Sequence, residues 1–161
     1  MAAGKSSSSA SLSKVDEAEL PLDQGFLTGQ IGHMARLAFA AVRVHFQKCV
    51  NDHGLSPGEF AVLSLLHGNP DTNQRRLAEA IYVSPPNLAV VLDRLGRRGL
   101  IQRNRNPADK RTHVLRLTEA GESLYEEAAR TVDALEAEAA SVLAPAERAE
   151  LLRLLRKVAD R

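Results

Sequence analysis

Residues 92–121, LDRLGRRGLIQRNRNPADKRTHVLRLTEAG, decide how this chain folds. Leu92 and Leu95 close a helical period, and Gly99 stops it. Two short segments, LIQRNR and THVLRLT, then flank NPADK. In the second segment His113, Leu115 and Leu117 alternate with Thr112, Val114 and Arg116, which is strand periodicity. Pro107 suits the turn between them. The stretch therefore predicts a helix followed by a β-hairpin whose tip carries Asp109, Lys110 and Arg111.

Working upstream, residues 73–81 (NQRRLAEAI) predict a short helix, and YVSPPNLAVVLDRLGRRGLI opens another after a turn of a few residues. Ser84 is the expected N-cap, with Pro85 and Pro86 where a missing N–H costs least. Leu88, Val91, Leu92 and Leu95 form its inner face. Two short helices joined by a tight turn make a helix-turn-helix, and the hairpin after them makes it winged.

Residues 24–52 place Leu27, Ile31, Met34, Ala38, Ala41, His45 and Cys49 on one stripe, which predicts one long helix. HGLSP breaks it. Ser56, Pro57 and Glu59 then read as N-cap, first helical position and capping-box partner of a second helix ending near HGNPD. From Thr118 a helical period returns and runs to about Val142, and a last helix starts at Pro145, with Ala144 a poor N-cap. Leu151, Leu152, Leu154, Leu155 and Val158 cover more of that helix than a narrow core stripe, so they must bury against something. The fold class expected is mainly α: a winged helix-turn-helix of about six helices plus a two-stranded β-wing. Its N- and C-terminal helices form a dimerisation region.

At 161 residues, 44% hydrophobic and 25% charged, the chain fits one globular domain. It holds no apolar run near the ~20 residues that a membrane helix needs. Residues 1–20 read as a disordered Ser-rich arm rather than a secretory signal. The one cysteine, Cys49, excludes an internal disulfide framework. Cytoplasmic residence is expected. No H-E-x-x-H, phosphate loop or G-x-S-x-G elbow occurs, so an enzyme is not expected, nor a metal or other cofactor. Charge is lopsided: residues 74–116 hold ten basic and three acidic side chains, +7 within a chain of net +1. A concentrated basic segment is the footprint of a polyanion-binding face.

The element order and the motifs Leu92-Asp93-x-Leu95, Arg98-Gly99-Leu100-Ile101, Asp109-x-Arg111, Leu117-Thr118 and Gly121 resemble the MarR family of bacterial transcription regulators. The resemblance covers about residues 24–160. It implies a single domain over 21–161, with dimerisation helices at 24–52 and 118–161 and the winged helix-turn-helix at 55–117. It implies a homodimer that binds a palindromic double-stranded DNA operator, usually as a repressor. Many such proteins are released by small phenolic or other aromatic acids.

On that reading Ser84, Asn87, Val90 and Arg94 form the reading face of the recognition helix. Asn suits adenine, and Val90 stands where the family often has Arg, so a thymine methyl contact replaces a guanine contact. Gln74, Arg75, Arg76 and Arg98 are candidate phosphate contacts. Arg111 is placed in the minor groove with Asp109 bracing it and Lys110 on a phosphate. His33, Arg36 and Arg43 share a helix face and are the candidate receivers of an effector carboxylate. The hydroperoxide-sensing branch keeps its cysteine near the start of the first helix, whereas Cys49 sits at the far end and reads as a small buried hydrophobe. Two rival readings remain: a winged helix used only for protein contacts, and a regulator of this family without a small-molecule effector. The +7 segment argues against the first.

Overall fold

The computed structural model describes residues 22–105 and 113–160. The arm at 1–20 and the wing-tip residues Asp109, Lys110 and Arg111 lie outside the described residues. The chain divides into two compact units, Met1–Arg36 and Leu37–Arg161. The elements in chain order are a 3-10 turn at Gly25–Gly29, α1 (Ile31–Asp52), α2 (Pro57–Gly68), α3 (Gln74–Ala80), α4 (Pro85–Arg97), β1 (Ile101–Arg105), β2 (His113–Leu117), α5 (Glu119–Ala139) and α6 (Pro145–Ala159). This is the winged helix-turn-helix expected from the sequence, mostly helical, with one two-stranded antiparallel sheet. No described helix is long and apolar enough to cross a membrane.

The single helix expected over 24–52 is interrupted. Asp23 Oδ1 accepts the Gly25 N–H at 2.9 Å and the Thr28 hydroxyl donates to the Gly25 carbonyl at 2.9 Å, local bonds that compete with an α-helical ladder. Residues 25–29 accordingly form a 3-10 turn, and the α-helix starts at Ile31. The apolar period continues across the break, which is why the sequence reads as one helix. The α2 start is as expected: Ser56 Oγ accepts the Glu59 N–H at 3.3 Å, and a Glu59 carboxylate oxygen accepts the Ser56 N–H at 2.8 Å. Two other ends differ from expectation. Ser84 occupies the N-cap of α4 but makes no side-chain capping bond. Helix α5 stops at Ala139 rather than near Val142. At α6 Ala144 has no side-chain acceptor, and Glu147 supplies the only capping bond, accepting the Ala144 N–H at 2.7 Å.

The core gathers Val50, Leu55, Val62, Leu63, Leu66, Leu77, Leu88, Leu92 and Leu95, with Leu115 and Leu117 of the wing and Ala128 and Val132 of α5. Burying side chains of this size is worth roughly 1.5–3 kcal/mol each before entropy is subtracted. β1 and β2 pair from Ile101↔Leu117 to Arg105↔His113. The expected alternation of β2 fails at Val114, which is buried next to buried Leu115. Leu115 and Leu117 belong to the main core cluster, whereas Val114 is buried outside it, on the opposite face.

A tight knot joins α5 to the end of α4. Thr118, the N-cap of α5, accepts the Gly121 N–H at 3.1 Å, donates its hydroxyl to the Gly99 carbonyl at 2.6 Å and its N–H to the Leu100 carbonyl at 3.1 Å. A Cβ on Gly121 would sit 2.0 Å from the Leu100 oxygen. Gly121→Ala should therefore lower stability by about 3 kcal/mol in urea unfolding. A second backbone feature concerns helix ends. Gly99 closes α4 with φ 68°, whereas the same place after α3 is taken by Tyr82 with φ 52°. Its side chain is 88% exposed, so no packing offsets the left-handed conformation. Tyr82→Gly should raise stability by about 1 kcal/mol in the same assay.

Candidate nucleic-acid interface

Helix α4 buries Leu88, Leu92 and Leu95 and turns its opposite side to solvent. Ser84, Asn87, Val90 and Arg94 are all exposed, and their spacing of three and four residues puts them on one stripe. The structure thus brings the four expected readers together. Val90 is 58% exposed on a helix whose other large apolar residues are covered. At the preceding helix Asn73 caps α3 by accepting the Arg76 N–H at 3.0 Å. Gln74 is half-buried, while Arg75 and Arg76 are exposed. Arg75 faces Glu79 at 3.9 Å, a solvated pair worth little.

Several cations of the basic segment already hold protein partners. Arg98 donates to the Gly54 carbonyl at 2.8 Å and lies 3.9 Å from Glu59, so it ties the end of α4 to the loop before α2. Arg94 Nε is 3.8 Å from the same carboxylate. Arg103 donates to Asp93 at 3.0 Å. Arg116 grips Asp71 with two parallel hydrogen bonds. That bonding holds the Asp71 carboxyl below its ordinary range and raises the Arg116 guanidinium above its own. Arg76 and Arg97 have no carboxylate partner among the described residues.

Glu59 and Asp71 come from outside residues 74–116, and neither was singled out for this face from sequence. Glu59 carried a local signal, its capping box, but only the fold shows that its carboxylate, 5% exposed, also faces α4. Asp71 carried no signal, because its partner is 45 residues away. With both folded onto the segment, its excess of seven positive charges becomes five.

The candidate effector residues fall in different units. His33 and Arg36 belong to the first: the His33 ring shares a hydrogen bond with Gln24 Oε1 at 2.7 Å, and Arg36 reaches its Nδ1 at 3.4 Å. A neutral imidazole with its proton on Nε2 satisfies both contacts. Arg43 lies in the second unit and is exposed. Cys49 is buried as expected, and burial first, then the nearby Asp52 charge, push its thiol pKa up, away from reactivity. It lines a narrow cleft between α1 and α5 with Val42, Phe46, Val132 and Leu135.

Residues 55–113 match the family model described as MarR family. The HTH-type transcriptional regulator YkoM of Bacillus subtilis is 34% identical over 121 residues, 74% of this chain and 78% of its own. The chain belongs to the MarR family. Among solved structures this MarR-family regulator resembles the transcriptional repressor CouR bound to a 23-mer DNA duplex. The TM-score is 0.79 at 34% identity, covering 86% of this chain and 98% of CouR. CouR has also been solved with p-coumaroyl-CoA, at TM-score 0.74 and 33% identity over 86% of this chain and 97% of that one. A structure of BpsR from Bordetella bronchiseptica, described for regulation of its DNA binding by 6-hydroxynicotinic acid, matches at TM-score 0.75 and 29% identity. It covers 83% of this chain and 96% of BpsR.

The double role of Glu59 can be separated by two substitutions. Glu59→Gln keeps an acceptor for the Ser56 N–H, whereas Glu59→Ala removes the cap as well. Denaturant unfolding should show a loss of about 1–2 kcal/mol for alanine and less than half of that for glutamine.

Proposed function

We propose that this regulator is a homodimeric repressor that binds a palindromic operator and leaves it when a small aromatic or phenolic acid binds. The observation carrying this is the exposed α4 stripe of Ser84, Asn87, Val90 and Arg94, directly opposite its buried leucine face. An exposed polar stripe at the N-terminal half of the second helix of a helix-turn-helix is what enters a major groove. Asn87 reads adenine, Val90 packs on a thymine methyl, and Arg94 supplies the cation farther along.

The remaining assignments follow the same geometry. Gln74, Arg75 and Arg76 at the start of α3 meet phosphate, with Arg98 a further backbone contact at the end of α4. The wing carries Arg111 into the flanking minor groove, braced by Asp109, with Lys110 on phosphate. Residues 55–117 are the DNA-binding part of a domain over 21–161, and 24–52 with 118–161 are the dimerisation part. Support for the dimer comes from α6, where Leu151, Leu152, Leu154, Leu155 and Val158 are each at least 39% exposed and none is buried. A second copy covers such a surface at low cost. Two recognition helices then fall about one helical turn, ~34 Å, apart.

An acid-type effector is supported by the 6-hydroxynicotinic acid named for BpsR; the p-coumaroyl-CoA named for CouR is phenolic, but its acyl carboxyl is a thioester. His33 and Arg36, which lie in one unit and touch, are the residues proposed to receive its carboxylate. A ligand releases DNA only through a difference in affinity between two arrangements of the lobes.

Selection of bound duplexes from a random pool should return one palindrome. Affinity for it should fall on a log–log salt plot with a slope of about −7, as about four phosphate contacts per protomer require. Arg111→Ala should weaken binding by about 10- to 100-fold. An unchanged affinity at moderate salt removes the wing from the interface. Salicylate- and hydroxycinnamate-type acids, titrated against the complex, should release DNA from the parent protein and not from a His33→Ala, Arg36→Ala double variant.

A further inference from the structure

Arg116 lies on β2 between Leu115 and Leu117, two buried residues. Its guanidinium does not add to the DNA-facing charge in any simple way. Nε donates to one oxygen of Asp71 and Nη2 to the other, a planar fork-to-fork contact that arginine alone can make. Asp71 sits in the connection between α2 and α3, in the left-handed region at φ 64°. The next residue, Thr72, is 7% exposed, and its carbonyl accepts the Leu115 N–H at 2.9 Å. Asn73 follows and caps α3.

Two links thus leave adjacent residues of the connection, Asp71 and Thr72, and arrive at adjacent residues of β2, Arg116 and Leu115. One link is a backbone hydrogen bond and the other a doubly bonded ion pair. A single link leaves a strand free to pivot about it, whereas two fix its direction. That direction matters because β2 is the strand that follows the wing tip, and the connection leads directly into the helix-turn-helix. An aspartate in a left-handed conformation costs more than a glycine would there, so the carboxylate brings something that conformational ease does not.

We propose that the Asp71–Arg116 pair is a positioning device that sets the angle of the wing to the helix-turn-helix, so that operator affinity depends on two residues outside the reading face. The inference rests on the reading of the wing as a minor-groove contact. It makes a prediction opposite in sign to bulk electrostatics. Asp71→Asn removes a negative charge from the protein, which by charge alone tightens binding to a polyanion. If the pair positions the wing, the same substitution weakens it.

The test is a double-mutant cycle on the full chain, read by binding to the selected operator and by thermal melting. Asparagine is close to aspartate in shape and tolerates φ near 60°, so Asp71→Asn should melt cooperatively near the parent temperature. It should bind about fivefold to tenfold more weakly, and Arg116→Lys, which keeps the charge and loses the fork, should do the same. In an Arg111→Ala background Asp71→Asn should cost less than about twofold further, because the wing it positions no longer makes its contact. Unchanged or tighter binding by Asp71→Asn, while Arg111→Ala alone weakens binding, overturns the positioning role and leaves the wing reading standing. A full additional loss in the Arg111→Ala background also overturns it, because the pair then acts elsewhere. If Arg111→Ala alone is neutral, the wing reading fails and the positioning role fails with it.

Discussion

The carbonyl oxygen of Leu100 is the point on which the rest of the fold depends. It accepts the Thr118 N–H and stands where any side chain on Gly121 would have to be. Because Thr118 also bonds the Gly99 carbonyl, the end of α4, the residue just before β1 and the start of α5 meet in one place. The end of α4 and the start of α5 are therefore not separately hinged. A change in the direction of α5 has to be felt at α4 and β1, which is a mechanical requirement for an effector bound away from DNA to alter the spacing of two DNA-binding lobes.

Local signals made much of this legible. Ser56, Pro57 and Glu59 announce the start of α2 through bonds that span three residues, and the structure makes both halves of that capping box. Leu88, Leu92 and Leu95 fix which side of α4 faces the core. From those, the exposed stripe follows by geometry. The Leu117-Thr118 and Gly121 motif was visible as a resemblance, and its physical meaning is the capping bond and the close approach to Leu100. What stayed hidden depends on partners distant in sequence. Asp71 is an ordinary acid in the sequence and Glu59 shows there only as a capping residue, yet one clamps β2 and the other is buried beside Arg94 and Arg98. Val114 differs too: period two describes a strand with one covered face, yet Val114 is buried on the side where its neighbour Arg116 is exposed. Near the N-terminus the miss was local. The Asp23 and Thr28 side chains compete for backbone bonds within an apolar period that continues unchanged.

The electrostatics change accordingly. A count along the chain treats every arginine between 74 and 116 as a potential phosphate contact, but Arg103 and Arg116 are spent on Asp93 and Asp71. Their role is architectural: they hold α4, β1 and β2 at fixed angles to their neighbours. The cations without a carboxylate partner are fewer, Arg76 and Arg97 among the described ones. On the proposed reading, specificity rests on a small set in which Asn87 and the exposed Val90 carry the direct reading and the wing carries shape recognition.

Hydroxyl-radical footprinting of the selected operator tests this account most directly, because it reports the face of the duplex and the symmetry of contact at once. The account predicts two equivalent protected patches related by a dyad, their centres about one helical turn apart, each flanked on the outside by protection across a minor groove. A single asymmetric patch, or symmetric patches without the flanking minor-groove protection, would contradict it.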